Sequence, residues 1–210
     1  MQMNEENHFW KNIWKRNHIP FHLTQVHPLL KKYFPLFKAA WNQSILLPLS
    51  GKTLDILYLK RQKLKVIGVE ISKKAVEDFK RENKLKMKRK GSHYYTHHLN
   101  IWQDDFFHLD KKNIDSDYLY DRAGLIALNP KQRKQYFEKI NSLQIKRGLI
   151  ISIEYPQEKY PGPPYSVSEE EITKGLKNYK VRKIEESFMG PAGFSSEPFD
   201  LWQKVYFIYN

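Results

Sequence analysis

Acidic side chains and one arginine follow the apolar segments of this 210-residue chain, at positions where they can do chemistry. Glu70 ends the run "KVIGVE", Asp105 comes shortly after "LNIW", and Asp121 and Arg122 end "YLYDR". A carboxylate accepts hydrogen bonds from the hydroxyls of a ribose or from the amino group of a base. The planar fork of an arginine binds a carboxylate through two parallel hydrogen bonds. These residue types therefore indicate a nucleoside site, with the arginine facing either a ligand carboxylate or a polar substrate.

The segment "LLPLSGKTLD" resembles a phosphate-binding loop, because Gly51 is followed by Lys and Thr as in the motif Gly-x-x-x-x-Gly-Lys-Ser/Thr. Counting back from Gly51 places Leu46 where that motif requires its first glycine, and Pro48 lacks an N–H that would face phosphate. The sequence lacks a dinucleotide Gly-x-Gly-x-x-Gly there as well. We therefore exclude a phosphate-binding loop and retain a strand, a turn with one glycine, and a helix, an arrangement that can hold a different ligand.

An acid about 20 residues beyond such a turn is well placed to bind both hydroxyls of a ribose. Glu70 occupies that position, and the single glycine of the turn favours a nucleoside that carries no pyrophosphate. S-adenosylmethionine fits that description. Asp105 would then accept from the adenine amino group while Phe106 covers the ring. The residues alone leave two alternatives open, which are an ordinary core turn at Glu70 and a turn cap at Asp105 beside core phenylalanines.

The pair Asp121 and Arg122 is the most unusual charged feature, because an arginine directly after a buried strand is costly unless it is paired or faces a cleft. A structural ion pair of Arg122 with Asp121 or another acid remains the alternative to a ligand contact. The later loop "GPPY" begins with Gly162, which lacks the side-chain oxygen of the Asp/Asn-Pro-Pro-Tyr box found in amino-methyltransferases that act on nucleic acids. We interpret this segment as a rigid loop whose Pro163 borders a pocket.

Strands and helices must position these residues. Apolar runs predict strands over 44–49, 65–70, 117–121, 148–155, 180–186 and 202–209, with a further pair of strands within 93–104. Helices are predicted over 53–62, after an N-cap at Ser72, and from Pro130 to Ile140. Strands that alternate with helices predict an α/β fold with a mostly parallel sheet and helices on both faces. The last two strands should pair antiparallel, because the segment "GPAGFSSEP" between them is a loop.

The formal net charge of +13 suggests nucleic acid or an acidic membrane as a partner, or a lysine-rich surface alone. The densest basic run, 84–90, lies between a helix and a strand and lacks the interleaved aromatic residues of a single-strand-binding surface. We therefore expect a small-molecule partner rather than nucleic acid.

The eight histidines show no metal-ligand spacing, and the chain has no cysteine, so we expect neither a metal site nor a cysteine nucleophile. No apolar run approaches the roughly 20 residues of a membrane span, and the first ten residues lack a signal-peptide pattern. We expect no membrane association and a cytoplasmic protein.

Segments in order along nearly the whole chain resemble the thiopurine S-methyltransferase family. They are "FWKNIWKRNHIPFH" with "HPLL", "PLSGKTLD", "VIGVEIS", "DDFFHL", "YDRAGLIALNP" with "RKQYF", and "GPPYSV". Ser50 stands where the family usually has cysteine, a small change that should leave the turn intact. The C-terminal segment from 190 onward matches only loosely.

The resemblance implies a class I methyltransferase fold, which is three-layered, Rossmann-like and built on a seven-stranded sheet with an antiparallel last strand. It implies S-adenosylmethionine as the cofactor and S-adenosylhomocysteine as the product. Carried over to matching positions, it implies cofactor contacts from Trp10, Trp14, Leu49, Glu70, Asp105, Phe106 and Arg122, and a substrate contact from Phe21. Gly51 and Pro163 join these as the cofactor turn and the substrate loop, and Asp121 and Arg122 are the candidate catalytic residues.

We therefore expect a monomeric single-domain enzyme, residues 1–210, that moves a methyl group to the sulfur of a small thiol such as a thiopurine. Residues 1–40 are rich in aromatic residues and precede the first core strand, so we expect them to form a cap over the site. Two alternatives remain, which are a methyltransferase for selenium or tellurium species, halide or an amine, and a basic nucleic-acid-binding protein.

Overall fold

The computed structural model describes residues 5–192 and 198–210 and divides into two compact units, Met1–Asp117 and Tyr118–Asn210. Each unit contains helices together with parallel and antiparallel strands, which confirms the predicted α/β class, and the parallel pairings join β1 to β2, β2 to β5 and β6 to β7, whose bounds follow. The assignment of 1–210 to one domain, with 1–40 as a cap, stays a prediction.

The first unit contains five helices and five strands in its described part, 5–117. The helices are α1 (Glu5–Lys15), α2 (Pro28–Tyr33), α3 (Asp55–Arg61), α4 (Lys73–Glu82) and α5 (Lys111–Ile114), with a 3-10 turn at Phe34–Phe37. The strands are β1 (Ser44–Leu47), β2 (Lys65–Val69), β3 (Lys88–Lys90), β4 (His93–Tyr95) and β5 (Leu99–Trp102). Their order is β3-β4-β5-β2-β1, and β2 pairs in parallel with both β1 and β5. The carboxyl ends of these three parallel strands therefore share one edge, where ligands bind in open α/β sheets.

The local sequence explains why the strands and the helix next to this edge form where they do. Strands β1 and β2 are short apolar runs that are buried along almost their whole length, as expected for strands covered on both faces. Helix α4 begins where predicted, because the Ser72 hydroxyl accepts a hydrogen bond from the N–H of Ala75 at 3.2 Å. Its buried Ala75, Val76 and Phe79 recur at the spacing of one helical face.

The basic run at 84–90 contains a strand that the sequence pattern did not predict. Lys88–Lys90 forms β3, which is exposed at all three residues and pairs antiparallel with β4. Apolar alternation marks a strand that packs on a core, whereas a solvated edge strand needs only backbone pairing and tolerates lysine. The described residues consequently hold nine strands, with β3 and β4 preceding β5.

The second unit contains four strands and two α-helices in its described part. The strands are β6 (Tyr118–Arg122), β7 (Arg147–Glu154), β8 (Lys180–Pro191) and β9 (Asp200–Tyr209), and the helices are α6 (Pro130–Ser142) and α7 (Glu169–Gly175). The order is β6-β7-β9-β8, with β6 and β7 parallel and β9 antiparallel to both of its neighbours. The predicted antiparallel pairing of the last two strands is confirmed. Of the loop predicted between them, residues 193–197 lie outside the described residues.

Helix α6 begins at Pro130, as predicted, because Asn129 and Gln132 form a reciprocal capping box in front of it. The buried Arg133 of α6 bonds both carboxylate oxygens of Glu171 in α7, at 2.5 and 3.0 Å. This bidentate pair fixes the two helices of the unit to each other.

Candidate functional site

The turn after β1 is strained and tied to the end of β2. Leu49 and Gly51 have φ angles of +49° and +55°, a left-handed conformation that is uncommon for leucine. The N–H of Ser50 donates to the carbonyl of Val69 at 2.8 Å, so the turn is held by the neighbouring strand. Backbone strain of this kind collects at ligand-binding turns. That Leu49 and the backbone of Gly51 contact a ligand stays a prediction.

Glu70 lies directly beside this turn and is 5% exposed. Its Oε2 accepts from the N–H of Gly51 at 2.8 Å, and its Oε1 accepts from the N–H of Ser72 at 2.6 Å. Burial raises the pKa of Glu70 to about 7, although the backbone hydrogen bonds oppose the rise. A carboxylate offers about four lone-pair positions, so the side chain keeps acceptor capacity for the hydroxyls of a ribose.

Asp105 follows β5 at the same edge of the first unit. Its Oδ1 accepts from the N–H of Phe107 at 2.9 Å, and its Oδ2 accepts from the side-chain amide of Asn7 at 2.7 Å. Phe106 next to it is 3% exposed. Asn7 belongs to α1 and is not marked by any sequence pattern, because a polar residue on a short helix is ordinary.

The N-terminal helix also brings aromatic rings to the turn. A Cβ atom at Gly51 would lie 3.0 Å from Cζ2 of Trp14, so the indole packs directly against the glycine backbone. Phe21 lies edge-on to Trp10 and to Trp14, with ring centroids 5.8 and 5.7 Å apart. The predicted residues Trp10, Trp14 and Phe21 therefore form one aromatic cluster that contacts the Gly51 turn.

In the second unit, Asp121 is fully buried and anchors the chain after β6. Its Oδ1 accepts from the N–H groups of Gly124 and Leu125, each at 3.1 Å, and its Oδ2 accepts from the hydroxyl of Tyr136 at 2.6 Å. Burial raises the pKa of Asp121 to about 6. These bonds give Asp121 a positioning role, and its catalytic assignment stays a prediction. Arg122 is the half-buried last residue of β6, and its predicted ligand contact likewise stays a prediction.

The predicted rigid loop around Pro163 is held by tyrosine hydroxyls. Tyr155 donates to the carbonyl of Pro164 at 2.6 Å, and Tyr160 donates to the carbonyl of Pro163 at 3.2 Å. The N–H of Tyr165 donates to the carbonyl of Ile126 at 2.7 Å. The loop is thus fixed at several points, while its contact with a substrate stays a prediction.

Two further properties concern the kind of site. Within 5–192 and 198–210, no cluster of three or more histidine, aspartate or glutamate side chains is arranged to hold a metal ion. In the same described ranges, no helix has both the length and the apolar character needed to cross a membrane.

Comparisons with known proteins identify the family of the chain. The family model for Thiopurine S-methyltransferase (TPMT) matches residues 5–206. The chain belongs to the thiopurine S-methyltransferase family. Relatives within the family include the thiopurine S-methyltransferase of Pseudomonas putida, 38% identical over 184 residues that cover 84% of this chain and 85% of that protein. The enzyme of the same name from Shewanella loihica is 40% identical over 178 residues, which cover 81% and 82%.

Solved structures show the same fold at much lower identity. Magnesium protoporphyrin IX methyltransferase from Synechocystis PCC 6803 with bound SAH aligns with a TM-score of 0.65 at 13% identity, covering 98% of this chain and 100% of that one. TehB from Haemophilus influenzae aligns with a TM-score of 0.62 at 11% identity, covering 90% and 63%. Family membership and fold together confirm an S-adenosylmethionine-dependent methyltransferase with a class I fold.

Proposed function

We propose that this protein transfers the methyl group of S-adenosylmethionine to the sulfur of a small aromatic or heterocyclic thiol, such as a thiopurine. One structural observation supports an aromatic or heterocyclic acceptor. The cluster of Trp10, Trp14 and Phe21 packs at the Gly51 turn, where it supplies an apolar aromatic surface next to the proposed cofactor site. The names of the curated relatives support the same acceptor class.

The described residues fit the cofactor. Glu70 has acceptor capacity for the ribose hydroxyls, and Asp105 has it for the adenine amino group. Phe106 supplies an apolar side chain beside the base. When bound, the cofactor supplies an electrophilic sulfonium methyl group, which passes to the acceptor sulfur as the sulfonium becomes a thioether.

The chain contributes binding, orientation and exclusion of water, and a covalent enzyme intermediate is unnecessary. This suits a chain without cysteine. Attack of a thiolate on a sulfonium neutralises both charges, so an apolar site that excludes water should favour the transition state. The aromatic cluster on the N-terminal segment is the proposed source of that exclusion. Arg122 is, by its positive charge, the proposed cation that favours the thiolate form of the acceptor.

Methyl transfer from labelled S-adenosylmethionine to a matched acceptor panel tests the proposal. The panel pairs each thiopurine or aryl thiol with the same ring carrying a hydroxyl, and adds selenium and tellurium oxyanions, halide and an amine. We expect transfer to the thiols and much less to the hydroxyl analogues, with loss of transfer in Glu70→Ala. Transfer to another acceptor class alone would contradict the thiol assignment.

Thermal-shift measurements separate this proposal from the nucleic-acid alternative. We expect S-adenosylmethionine and S-adenosylhomocysteine to raise the unfolding temperature, and ATP to leave it unchanged. If DNA or RNA stabilised the protein in a strongly salt-dependent manner while neither cofactor form did, the methyltransferase proposal would fail.

A further inference from the structure

Glu70 and Asp105 are held in the same manner. In each carboxylate, each oxygen accepts one hydrogen bond from a protein N–H group, at distances between 2.6 and 2.9 Å. A carboxylate offers about four lone-pair positions, so each of these side chains keeps acceptor capacity for a ligand. Two carboxylates held in this way at one edge of the sheet suit the two hydrogen-bonding ends of a nucleoside, its ribose and its base.

Of the four donors in these hydrogen bonds, three are backbone N–H groups and one is a side-chain amide. Gly51, Ser72 and Phe107 donate backbone N–H groups from the chain that follows β1, β2 and β5. The fourth donor is the side-chain amide of Asn7, which lies on α1 and is 98 residues from Asp105 in sequence. Asp105 is therefore the carboxylate whose orientation depends on the N-terminal helix.

A competing partner makes this dependence consequential. Nδ1 of the exposed His108 lies 4.0 Å from the same Oδ2 atom that accepts from Asn7. The χ2 torsion of aspartate is broad, so a carboxylate that loses one donor can turn toward another. Asn7 holds Oδ2 at a defined position against that turn.

We propose that Asn7 is a positioning residue that orients Asp105 to bind the adenine amino group, so that α1 contributes to selection of a 6-aminopurine. This inference rests on the proposed function, because it assumes that the nucleoside of the cofactor lies at Glu70 and Asp105. Asn7 itself contacts the carboxylate and acts on the base through it.

The test compares affinities for S-adenosylhomocysteine and for its 6-oxo analogue, S-inosylhomocysteine, measured by calorimetry. In the wild-type protein we expect the amino form to bind at least about tenfold more tightly, the range for a hydrogen bond to a charged group. Asn7→Ala should weaken binding of the amino form about tenfold and of the 6-oxo form less than twofold. The control variant Asn12→Ala, which replaces an exposed asparagine on the same helix, should change neither affinity.

The outcomes distinguish three cases. Equal losses for both ligands in Asn7→Ala would mean that Asn7 merely holds α1 in place, and the inference would be overturned. Unchanged affinity for the amino form would overturn it as well. Failure of the wild-type protein to bind S-adenosylhomocysteine would instead contradict the proposed function.

A second variant keeps the inference testable if Asn7→Ala loosens the helix. Asn7→Asp preserves side-chain size but places a second carboxylate against Oδ2 of Asp105. We expect it to weaken the amino form more than Asn7→Ala does, with part of the affinity recovered at high salt because like-charge repulsion is screened. Affinity insensitive to salt, or equal to that of the wild-type protein, would count against the positioning role.

Discussion

Raising the pH from 6 to 8 should tighten binding of S-adenosylhomocysteine about tenfold more in the wild-type protein than in Glu70→Gln. The reason is the buried Glu70 carboxylate, whose pKa is raised to about 7 by desolvation. The ionised form accepts from both ribose hydroxyls, whereas the protonated form gives up acceptor capacity on one oxygen.

The magnitude follows from that pKa. With a pKa of about 7, roughly a tenth of the Glu70 side chains are ionised at pH 6 and roughly nine tenths at pH 8. If only the ionised form binds the ribose well, the apparent affinity rises by the ratio of those fractions, close to tenfold.

The same pKa has a consequence for stability. Because the folded-state pKa lies above the unfolded value of 4.5, the folded protein binds this proton more tightly than the unfolded chain does. The contribution of Glu70 to the free energy of unfolding is present below about pH 4.5 and is lost as the pH rises through 7. At 1.36 kcal/mol per pKa unit, the loss is about 3 kcal/mol.

Calorimetric titration at pH 6, 7 and 8 measures the binding effect. Ionisable groups of the ligand titrate identically in both proteins, so the ratio of the wild-type and Glu70→Gln affinities isolates Glu70. Glu138→Gln, which removes an exposed carboxylate on α6, serves as a control and should follow the wild-type pH profile. Parallel pH profiles for the wild-type protein and Glu70→Gln would refute the reasoning, because they would show that Glu70 does not titrate in contact with the ligand.

Two further variants test how the turn and the Asp121 anchor are held. In chemical denaturation, Gly51→Ala should lower the free energy of unfolding more than Gly91→Ala does. Both glycines have positive φ, which costs an alanine about 1 kcal/mol at either position. Only at Gly51 would the new Cβ also meet an indole ring of α1, at 3.0 Å. Equal losses in the free energy of unfolding would contradict this, because they would show that the indole ring moves aside without a cost. Tyr136→Phe should lower the free energy of unfolding by about 1.5–3 kcal/mol at pH 8, because it removes a hydrogen bond to the charged Asp121. The loss should be smaller at pH 4, because the buried Asp121 has a pKa of about 6 and is protonated there. Tyr179→Phe, whose hydroxyl bonds neutral carbonyls, should show no such pH dependence, and a pH-independent loss in Tyr136→Phe would contradict the role of the carboxylate.

Much of the framework is readable from the sequence because it depends on neighbours along the chain. Apolar runs locate β1 and β2, a serine cap locates the start of α4, and a proline locates the start of α6. The positions of Glu70 and Asp105 follow from the same logic, since each comes directly or shortly after a predicted strand and the carboxyl ends of parallel strands share an edge.

Other features required the tertiary structure, because they join residues that are distant in sequence. The hydrogen bond from Asn7 to Asp105 spans 98 residues, and no local pattern marks either partner for the other. The strand β3 lies in a lysine run that has no apolar period, since pairing with β4 alone makes it a strand. The pKa of Glu70 depends on how completely the fold removes it from water, which its position after a strand does not determine. The sequence by itself therefore determined which candidate groups follow the strands, and the tertiary structure decided which of them are held, by which partners, and how far each is removed from water.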